Sequence, residues 1–283
     1  TADMTAPILR RLSDLRAKTA AWRRAGETIG LVPTMGALHQ GHLSLVRAAK
    51  EACDRVIVTI FINPKHFNNP EDYKNYPRTE EEDARKLIAL KADVVYVPDG
   101  EQMYPNGFAT TVSVEGITQG LCGAHRAGHF DGVATIVTKL FTQTQADKAF
   151  FGEKDYQQLL VVRRMARDLD IPIQVVGCPT VREASGLAMS SRNMRLSAAG
   201  TAQAGALHPI LTKLATALAA GGDFAPLGTA AEAAILAAGF DEVEYLSLCC
   251  AEDLSALHRA DRPARLFVAA WLEDVRRIDN VAV

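Results

Sequence analysis

The chain has 283 residues, of which 48% are hydrophobic and 23% are charged, a composition that lets a globular protein bury a core without disulfide or metal cross-links. Its formal net charge at pH 7 is −2, so the overall charge gives no argument for a nucleic-acid or membrane partner, although a local basic site could still bind an anion. The sequence contains neither a signal-peptide pattern nor a run of about 18 apolar residues, and we therefore expect a cytoplasmic enzyme or binding protein.

Helices and strands alternate in the first part of the chain. Amphipathic spacing and capping residues predict helices at 8–25, 41–53, 79–90, from Asp131 through Phe141, and at 154–168. Apolar, β-branched runs predict strands at 28–33, 55–62, 93–97, 110–114, 148–151 and 173–176. Because such alternation builds a parallel sheet with right-handed crossovers, we predict an α/β fold with a Rossmann-like domain over residues 1–182.

The remaining residues, 183–283, have a different pattern. Ser197 is the expected N-cap of a long alanine-rich helix that ends at Gly221 and Gly222, and a shorter helix ends near Gly239. Strands are expected at 243–248 and 265–271. These elements predict a smaller α+β domain, joined to the first by the segment around 182–193.

The cysteines number five, and no two of them have a C-x-x-C spacing. An odd number without that spacing argues against a disulfide framework and against a cysteine zinc site. We expect buried, reduced thiols, which indicate a reducing compartment.

Two histidines, His39 and His42, follow the first long predicted strand. Ligands of open parallel sheets bind beyond the carboxyl ends of the strands, and the start of the next helix offers N–H groups and a positive dipole to an anion. Gly36 and Gly41 let the backbone approach a phosphate, and imidazoles can stabilise its charge during transfer. The structural alternative is that one histidine is satisfied in the core and the other caps the helix.

A second cluster, Phe151 to Gln158, lies between a predicted strand and a predicted helix and reaches the same edge of the sheet. Lys154 provides a point charge suited to phosphate, whereas the bland alternative is an ordinary charged first turn. The sequence has no Walker-type G-x-x-x-x-G-K-[ST] and no G-x-G-x-x-G, so a bound nucleotide would use a different loop.

A third cluster, Gly186 to Asn193, lies on the expected inter-domain segment. Its two serine hydroxyls and its guanidinium could bind phosphates. The alternative is a solvated linker.

The H-x-G-H turn together with the Met-Ser-Ser-Arg segment resembles the superfamily of nucleotidylyltransferases and class I aminoacyl-tRNA synthetases. Within it, the chain resembles the pantothenate synthetase family over nearly its whole length. The matching motifs are, in chain order, 33–36, 61–64, 76–79, 104–107, 128–130, 151–158, 186–193 and 278–280. The resemblance implies a Rossmann domain, a C-terminal lid domain, Mg²⁺ with ATP as co-substrate, and a homodimer.

The resemblance also implies the site residues. The ATP-binding positions would be Met35, Gly36, Ala37, Leu38, His39, Gln40, Gly41, His42, Gly152, Glu153, Lys154, Asp155, Val181, Met189, Ser190, Ser191 and Arg192. Asn63 and Gln158 match pantoate contacts, and His66 falls at a position that contacts pantoate and lies near β-alanine. No metal-ligating residue is assigned.

The implied reaction condenses (R)-pantoate with β-alanine and gives pantothenate, AMP and pyrophosphate. The pantoate carboxylate attacks the α-phosphate, while His39, His42, Lys154 and Arg192 stabilise the growing charge, His42 is the proton donor, and Mg²⁺ assists the departure of pyrophosphate. The β-alanine amine then attacks the pantoyl adenylate. A closed pocket brings the reactants together and excludes water.

Three positions depart from that family pattern. His66 stands where glutamine is usual, Cys122 where an acidic residue is common, and Cys249-Cys250 where an arginine-aspartate pair is common. We expect His66 to affect the acid-substrate site and the cysteines to affect packing.

Two other functions stay open. One is a different adenylyl- or cytidylyltransferase of the same superfamily, and the other is a non-catalytic nucleotide-binding dimer that binds ATP without forming AMP. A nucleic-acid-binding role has little support, because the charge is near neutral and basic residues are not interleaved with aromatic ones.

Overall fold

The computed structural model describes residues 6–126 and 128–283. These residues fall into two compact units. Unit 1 comprises the chain up to Glu115, Arg126–Glu153 and Gln158–Pro179, and unit 2 comprises Gly116–His125, Lys154–Gln157 and Thr180–Val283. The chain thus passes between the units more than once, and the domain boundary predicted between residues 182 and 183 stays a prediction.

Unit 1 is built on a parallel sheet, as the alternation of elements predicts. Within the described ranges its strands are β1 (Ile8–Leu9), β2 (Ile29–Thr34), β3 (Arg55–Ile60), β4 (Val94–Tyr96), β5 (Lys148–Gly152) and β6 (Gln174–Cys178). Their order is β1-β4-β3-β2-β5-β6, and every neighbouring pair is parallel. The predicted α/β fold class is confirmed.

Helices connect these strands. They are α1 (Leu12–Arg24), α2 (Gln40–Ala52), α3 (Pro70–Asn75), α4 (Glu80–Ala89), α5 (Gly100–Met103), α6 (Cys122–His125), α7 (His129–Thr144) and α8 (Tyr156–Asp168). Of these, α6 and the first two residues of α8 belong to unit 2. In α2, Leu43, Val46 and Ala49 share one face and are buried against Val32 and Phe150 of the sheet. Burial of each large aliphatic side chain contributes about 1.5–3 kcal/mol, which fixes the start of α2 at the end of β2.

The order of the strands places a topological switch point beside β2. From β2 the chain continues to β3 and β4 on one side, whereas β5 and β6 lie on the other side. A crevice forms beyond the carboxyl ends of the strands where the winding reverses. The H-x-G-H turn therefore starts at this crevice.

Two elements of unit 1 differ from the sequence-based prediction. Ile8 and Leu9 form an edge strand beside β4 instead of the first turn of a helix, since Pro7 and Leu9 accept hydrogen bonds from the backbone of that strand. Residues 110–114 contain no strand in the described structure. There the N–H of Val112 donates to the hydroxyl of Thr135 on α7 (2.9 Å), which replaces a ladder partner.

Unit 2 contains a second sheet, which is antiparallel. In its described part, helices α9 (Ala198–Ala204), α10 (Leu207–Ala219) and α11 (Phe224–Ala237) precede strands β7 (Glu242–Cys250), β8 (Ala264–Leu272) and β9 (Val275–Ala282), in the order β7-β8-β9. Leu207 and Leu211 pack on the same apolar cluster as Val268 and Ala270, so this face of the sheet is covered by helices.

Sequence reasoning missed β9 and a helix break in unit 2. The predicted alanine-rich helix is interrupted at Gly205, where a Cβ atom would lie 3.0 Å from Cβ of Ser185. The expected N-cap at Ser197 is confirmed, because its hydroxyl accepts from the N–H of Gly200 (3.0 Å).

Across the described residues, the helices are too short or too polar to traverse a lipid bilayer.

Candidate functional site

The turn after β2 holds the first predicted site residues, Met35 to Leu38. Gly36 and Ala37 both have positive φ, 81° and 51°. A Cβ atom on Gly36 would lie 3.2 Å from both Oδ2 of Asp83 and Cγ2 of Ile60. Glycine at this position therefore lets the turn pass close to α4.

Asp83 on α4 holds this turn in place through hydrogen bonds to its backbone. Its side chain is fully buried, and its two oxygens accept from the N–H groups of Ala37 and Leu38, both at 2.9 Å. The hydroxyl of Thr79 donates to the same carboxylate (3.1 Å), and Lys86 donates to the carbonyl of Leu38 (2.9 Å). A buried carboxylate with such charge-assisted bonds rigidifies the loop it holds.

His39 and His42 cap α2 reciprocally. The N–H of Gly41 donates to Nδ1 of His39 (3.0 Å), and the N–H of His39 donates to Nδ1 of His42 (3.2 Å). The ring centroids are 4.0 Å apart. Both histidines therefore cap the helix, whereas the structural alternative assigned this role to only one of them.

This capping determines how the rings can act. Because both Nδ1 atoms accept hydrogen bonds from the backbone, the proton of each ring lies on Nε2. A ring in this tautomer donates a hydrogen bond from Nε2. The pair thus supplies oriented Nε2–H donors beside the N-terminus of α2, where the helix dipole favours an anion.

The segment after β3 holds Asn63 and His66 in a 3₁₀ turn, Pro64–His66. Asn63 is 1% exposed. Its Oδ1 accepts from the hydroxyl of Tyr104 (2.9 Å) and from the N–H of Lys65 (3.2 Å), and its Nδ2 donates to the carbonyl of Gly132 (3.3 Å). The amide that is expected to meet the acid substrate is thereby held in one orientation.

His66 is tied to the same place through its backbone. Its carbonyl accepts from Nη2 of Arg126 (2.9 Å) and lies 2.8 Å from Nδ1 of His129. The His66 and His129 rings meet edge to face at 5.7 Å. The surroundings of His66 are thus basic, which suits a carboxylate ligand better than a cationic one.

A cavity of about 360 Å³ opens in unit 1 at the carboxyl edge of β2 and β3. Its lining includes Met35, Gly36, Phe61, Pro64, Tyr73 and Arg78. This volume is within the range of small-molecule sites. The structure thus brings the turn after β2 and the turn after β3 to one concave surface.

Gly152 is the last residue of β5, which pairs with β2 in the sheet, and Glu153 comes directly after it. Glu153 lies near Gly177, since a Cβ atom on Gly177 would lie 3.8 Å from Cγ of Glu153. Burial and the charge of Glu153 raise the pKa of the Cys178 thiol. Gln158 lies in the first turns of α8.

Lys154 and Asp155 belong to unit 2. Burial lowers the pKa of Lys154; Asp155 and Asp279 counteract this effect, while the charges of Arg277 and Arg192 add to it. The carbonyl of Lys154 accepts from Nδ2 of Asn280 (2.8 Å). The structure therefore places Lys154 and Arg192 within electrostatic range of each other.

Val181 and Met189 are joined by a backbone hydrogen bond (3.0 Å), and the N–H of Glu183 donates to the carbonyl of Leu187 (2.8 Å). Residues 181–189 thus form a hairpin-like turn. Ser190 then caps a 3₁₀ turn, Ser191–Arg195, by accepting from the N–H of Arg192 (3.2 Å). The segment for which a solvated linker was the alternative thus has regular local hydrogen bonds.

Sequence reasoning missed several polar residues of these sites. Asp83 is the last of four consecutive acidic residues, 80–83, at the start of α4. A favourable interaction with the helix dipole already explains such a run, so the sequence does not single out Asp83. Arg182 and Asp279 form a bidentate ion pair (2.7 and 2.9 Å), and Arg277, two residues before Asp279, is 2% exposed. The alternation of β9 would have predicted that Arg277 and Asp279 share one face, but only if the strand itself had been recognised.

The departures at the cysteines have a structural explanation in one case. Cys122 has its Sγ 3.1 Å from the hydroxyl of Tyr245 and 3.5 Å from Nη1 of Arg276. The carboxylate partner of Arg276 is Glu244 on β7; burial would raise the pKa of Glu244, but the hydrogen bond and charge of Arg276 lower it overall. The carboxylate beside Arg276 and Cys122 thus comes from β7. All five cysteines are buried thiols outside disulfides in the described chain.

Known proteins resemble this chain over its full length. The sequence model of the family described as Pantoate-beta-alanine ligase matches residues 7–282. A protein of Ruegeria sp. (strain TM1040) named pantothenate synthetase is 66% identical over 280 residues, which cover 99% of this chain and 100% of that protein. A protein of the same name from Caulobacter vibrioides is 51% identical over 284 residues, 99% of this chain and 100% of that protein.

Solved structures give the same result. The crystal structure of pantothenate synthetase from Thermus thermophilus has a TM-score of 0.91 and 44% identity, covering 97% of this chain and 98% of that one. The ligase from Francisella tularensis, complexed with beta-gamma ATP and beta-alanine, has a TM-score of 0.84 and 34% identity, covering 98% of this chain and 97% of that one.

Proposed function

Because this chain belongs to the pantoate-beta-alanine ligase family, we propose that it condenses (R)-pantoate with β-alanine at the expense of ATP, through a pantoyl-adenylate intermediate. The observation that carries the proposal is the reciprocal histidine cap at the switch point of the sheet. It supplies oriented donors where a phosphate would need them.

In the first half-reaction, the pantoate carboxylate attacks the α-phosphate of ATP, and pyrophosphate leaves. The Nε2–H groups of His39 and His42 donate to phosphate oxygens as negative charge grows, and His42 is the proton donor. Lys154 and Arg192 bind the same polyphosphate as cations, and Ser190 and Ser191 contribute hydroxyls. The remaining predicted positions between Met35 and Met189 complete the nucleotide site.

In the second half-reaction, the amine of β-alanine attacks the acyl carbon of the adenylate, and AMP leaves with the acyl–phosphate bond electrons. Asn63 and Gln158 bind pantoate, and His66 contacts the acid substrate. The firmly held Asn63 amide supports this assignment, because a preorganised contact orients the carboxylate without further ordering.

Mg²⁺ would enter with ATP as a co-substrate. In the part of the chain that the structure describes, no three His, Cys, Asp or Glu residues converge as a metal cage. Mg²⁺ commonly keeps most of its ligands from waters and substrate phosphates, so this donor set fits a magnesium ion held mainly by ATP. Bound there, Mg²⁺ would neutralise charge on the departing pyrophosphate.

We also propose that the enzyme is a cytoplasmic homodimer. Five buried thiols support a reducing compartment. Sedimentation at several protein concentrations would test the dimer, and a monomer at the highest concentration would contradict it.

The decisive experiment is AMP formation by the full chain with ATP and Mg²⁺. We expect AMP only when pantoate and β-alanine are both present, and pyrophosphate release without β-alanine limited to one enzyme equivalent. Turnover with another acid would favour a different nucleotidyltransferase. ATP binding without any AMP would favour a non-catalytic nucleotide-binding protein.

A further inference from the structure

Arg277 is a buried cation whose partners in unit 2 are incomplete. It lies on β9, opposite Ala270 of β8, and is 2% exposed. Its Nε and Nη1 atoms are buried and have no hydrogen-bond partner among the residues of 6–126 and 128–283. Arginine is almost never buried without an acceptor for its fork of donors.

The nearest carboxylates do not compensate for this. Asp279, which shares the face of β9 with Arg277, already receives both terminal nitrogens of Arg182, at 2.7 and 2.9 Å. Glu183 influences Arg277 only through its charge. Burial and the charge of Arg192 together lower the pKa of Arg277 to about 10 against the opposing charges of Asp279 and Glu183, so the free protein does not neutralise this guanidinium well.

The surroundings of Arg277 are positive as a whole. The cations that act on one another are Lys154, Arg192 and Arg277. The carboxylates that act on them are Asp155, Glu183 and Asp279, of which Asp279 is already paired with Arg182. Two of these cations, Lys154 and Arg192, are the residues of unit 2 to which the proposed function assigns the polyphosphate of ATP. An anion that binds them also lowers the electrostatic cost of Arg277, because attraction is strong in a water-poor interior.

We propose that Arg277 is a further determinant of phosphate binding, and that the polyphosphate of ATP and the product pyrophosphate compensate the charge that Arg277 leaves unpaired in the free enzyme. This inference rests on the proposed nucleotide site and adds a residue to it. It predicts that Arg277 lowers the stability of the free enzyme and raises its affinity for ATP and pyrophosphate.

The test is equilibrium binding of Mg²⁺-pyrophosphate and of Mg²⁺-ATP to the full chain by calorimetry, with thermal unfolding measured in parallel. We expect Arg277→Leu to weaken pyrophosphate binding by about tenfold or more, with pantoate binding unchanged. Without ligand, the variant should melt at or above the temperature of the wild type, since a buried unpaired charge is replaced by an apolar side chain.

Three further variants make the result interpretable. Arg277→Lys keeps the charge and should retain most of the affinity. Arg277→Gln removes the charge but keeps polarity, and should lose affinity as Arg277→Leu does; it decides the question if the leucine variant does not fold. Arg259→Gln removes the same charge from an exposed pair with Asp223 and should leave pyrophosphate affinity unchanged.

The proposal is overturned if Arg277→Gln binds pyrophosphate as tightly as the wild type, or if the wild type binds neither pyrophosphate nor ATP. A wild type that binds both but forms no AMP would refute the proposed function alone, because the role of Arg277 is judged by binding.

Discussion

His42 joins two roles in one imidazole, since its Nδ1 accepts from the backbone of His39 and its proton lies on Nε2. Removing one preorganised donor typically costs about a hundredfold or more in rate, whereas removing a helix cap costs about 1 kcal/mol. We therefore predict that His42→Ala slows single-turnover pantoyl-adenylate formation about a hundredfold, with urea unfolding little changed. Near-normal adenylation in this variant would remove His42 from the chemistry.

Asp83 has a role that its sequence context conceals. Asp83→Asn keeps the shape of the side chain but replaces one carboxylate oxygen with an NH₂ group. That group would face a backbone N–H that now donates to the carboxylate. An unsatisfied buried donor costs about 1–3 kcal/mol, so we predict a loss of that size in unfolding free energy and a raised KM for ATP. The control is Glu81→Gln on the same helix, where an exposed pair with Arg85 contributes little. An equal effect of both substitutions would show that only charge matters.

His66 is predicted to make pantoate binding depend on pH. A neutral histidine mimics glutamine poorly, whereas a protonated one attracts a carboxylate. We expect the KM for pantoate to fall as the pH falls from 8 toward 6, and His66→Gln to lower it about tenfold at pH 8 and to flatten the profile. His258→Gln, at an exposed histidine, is the control. An unchanged profile in His66→Gln would mean that the ring does not meet the substrate.

At the scale of elements, α7 and the 3₁₀ turn Pro64–His66 touch through a glycine. A Cβ atom on Gly132 would lie 2.3 Å from the carbonyl oxygen of Lys65, so the helix and the turn would have to separate. We predict that Gly132→Ala costs about 1–3 kcal/mol of unfolding free energy and raises the KM for pantoate, because Asn63 bonds to the carbonyl of Gly132. Gly100→Ala, which meets nothing within 4 Å, should change neither quantity.

The elements themselves show what a sequence can and cannot predict. Strands such as 55–60 are recognisable because apolar, β-branched residues need cover on both faces, and His39 and His42 are recognisable because glycines surround them at a strand end. Asp83 escapes because its partners are backbone N–H groups distant in sequence. β9 escapes because Arg276, Arg277 and Asp279 are charged, a pattern that does not predict a buried strand. Only tertiary ion pairs, with Glu244 and with Arg182, make Arg276 and Asp279 tolerable there.

At the scale of the whole molecule, unit 2 draws on three stretches of chain. Residues 183–283 alone would lack Cys122, which contacts Tyr245 and Arg276, and Tyr156, whose hydroxyl donates to the carbonyl of Ala251 (2.8 Å). We predict that a fragment of residues 183–283, the domain expected from sequence, has helical signal but weak amide protection in β7 and β9. Protection equal to that in the full chain would establish it as an autonomous domain.

The locked tautomers of His39 and His42 have a consequence for inhibitor chemistry. Both rings donate a hydrogen bond from Nε2, and their centroids are 4.0 Å apart. An inhibitor aimed at them should therefore carry two hydrogen-bond acceptors at a matching spacing. Sulfonyl and carboxylate oxygens are acceptors of this kind. An amine or amide N–H at the same position would face a donor on each ring and find no acceptor, so compound series that differ only in this polarity should diverge sharply in potency.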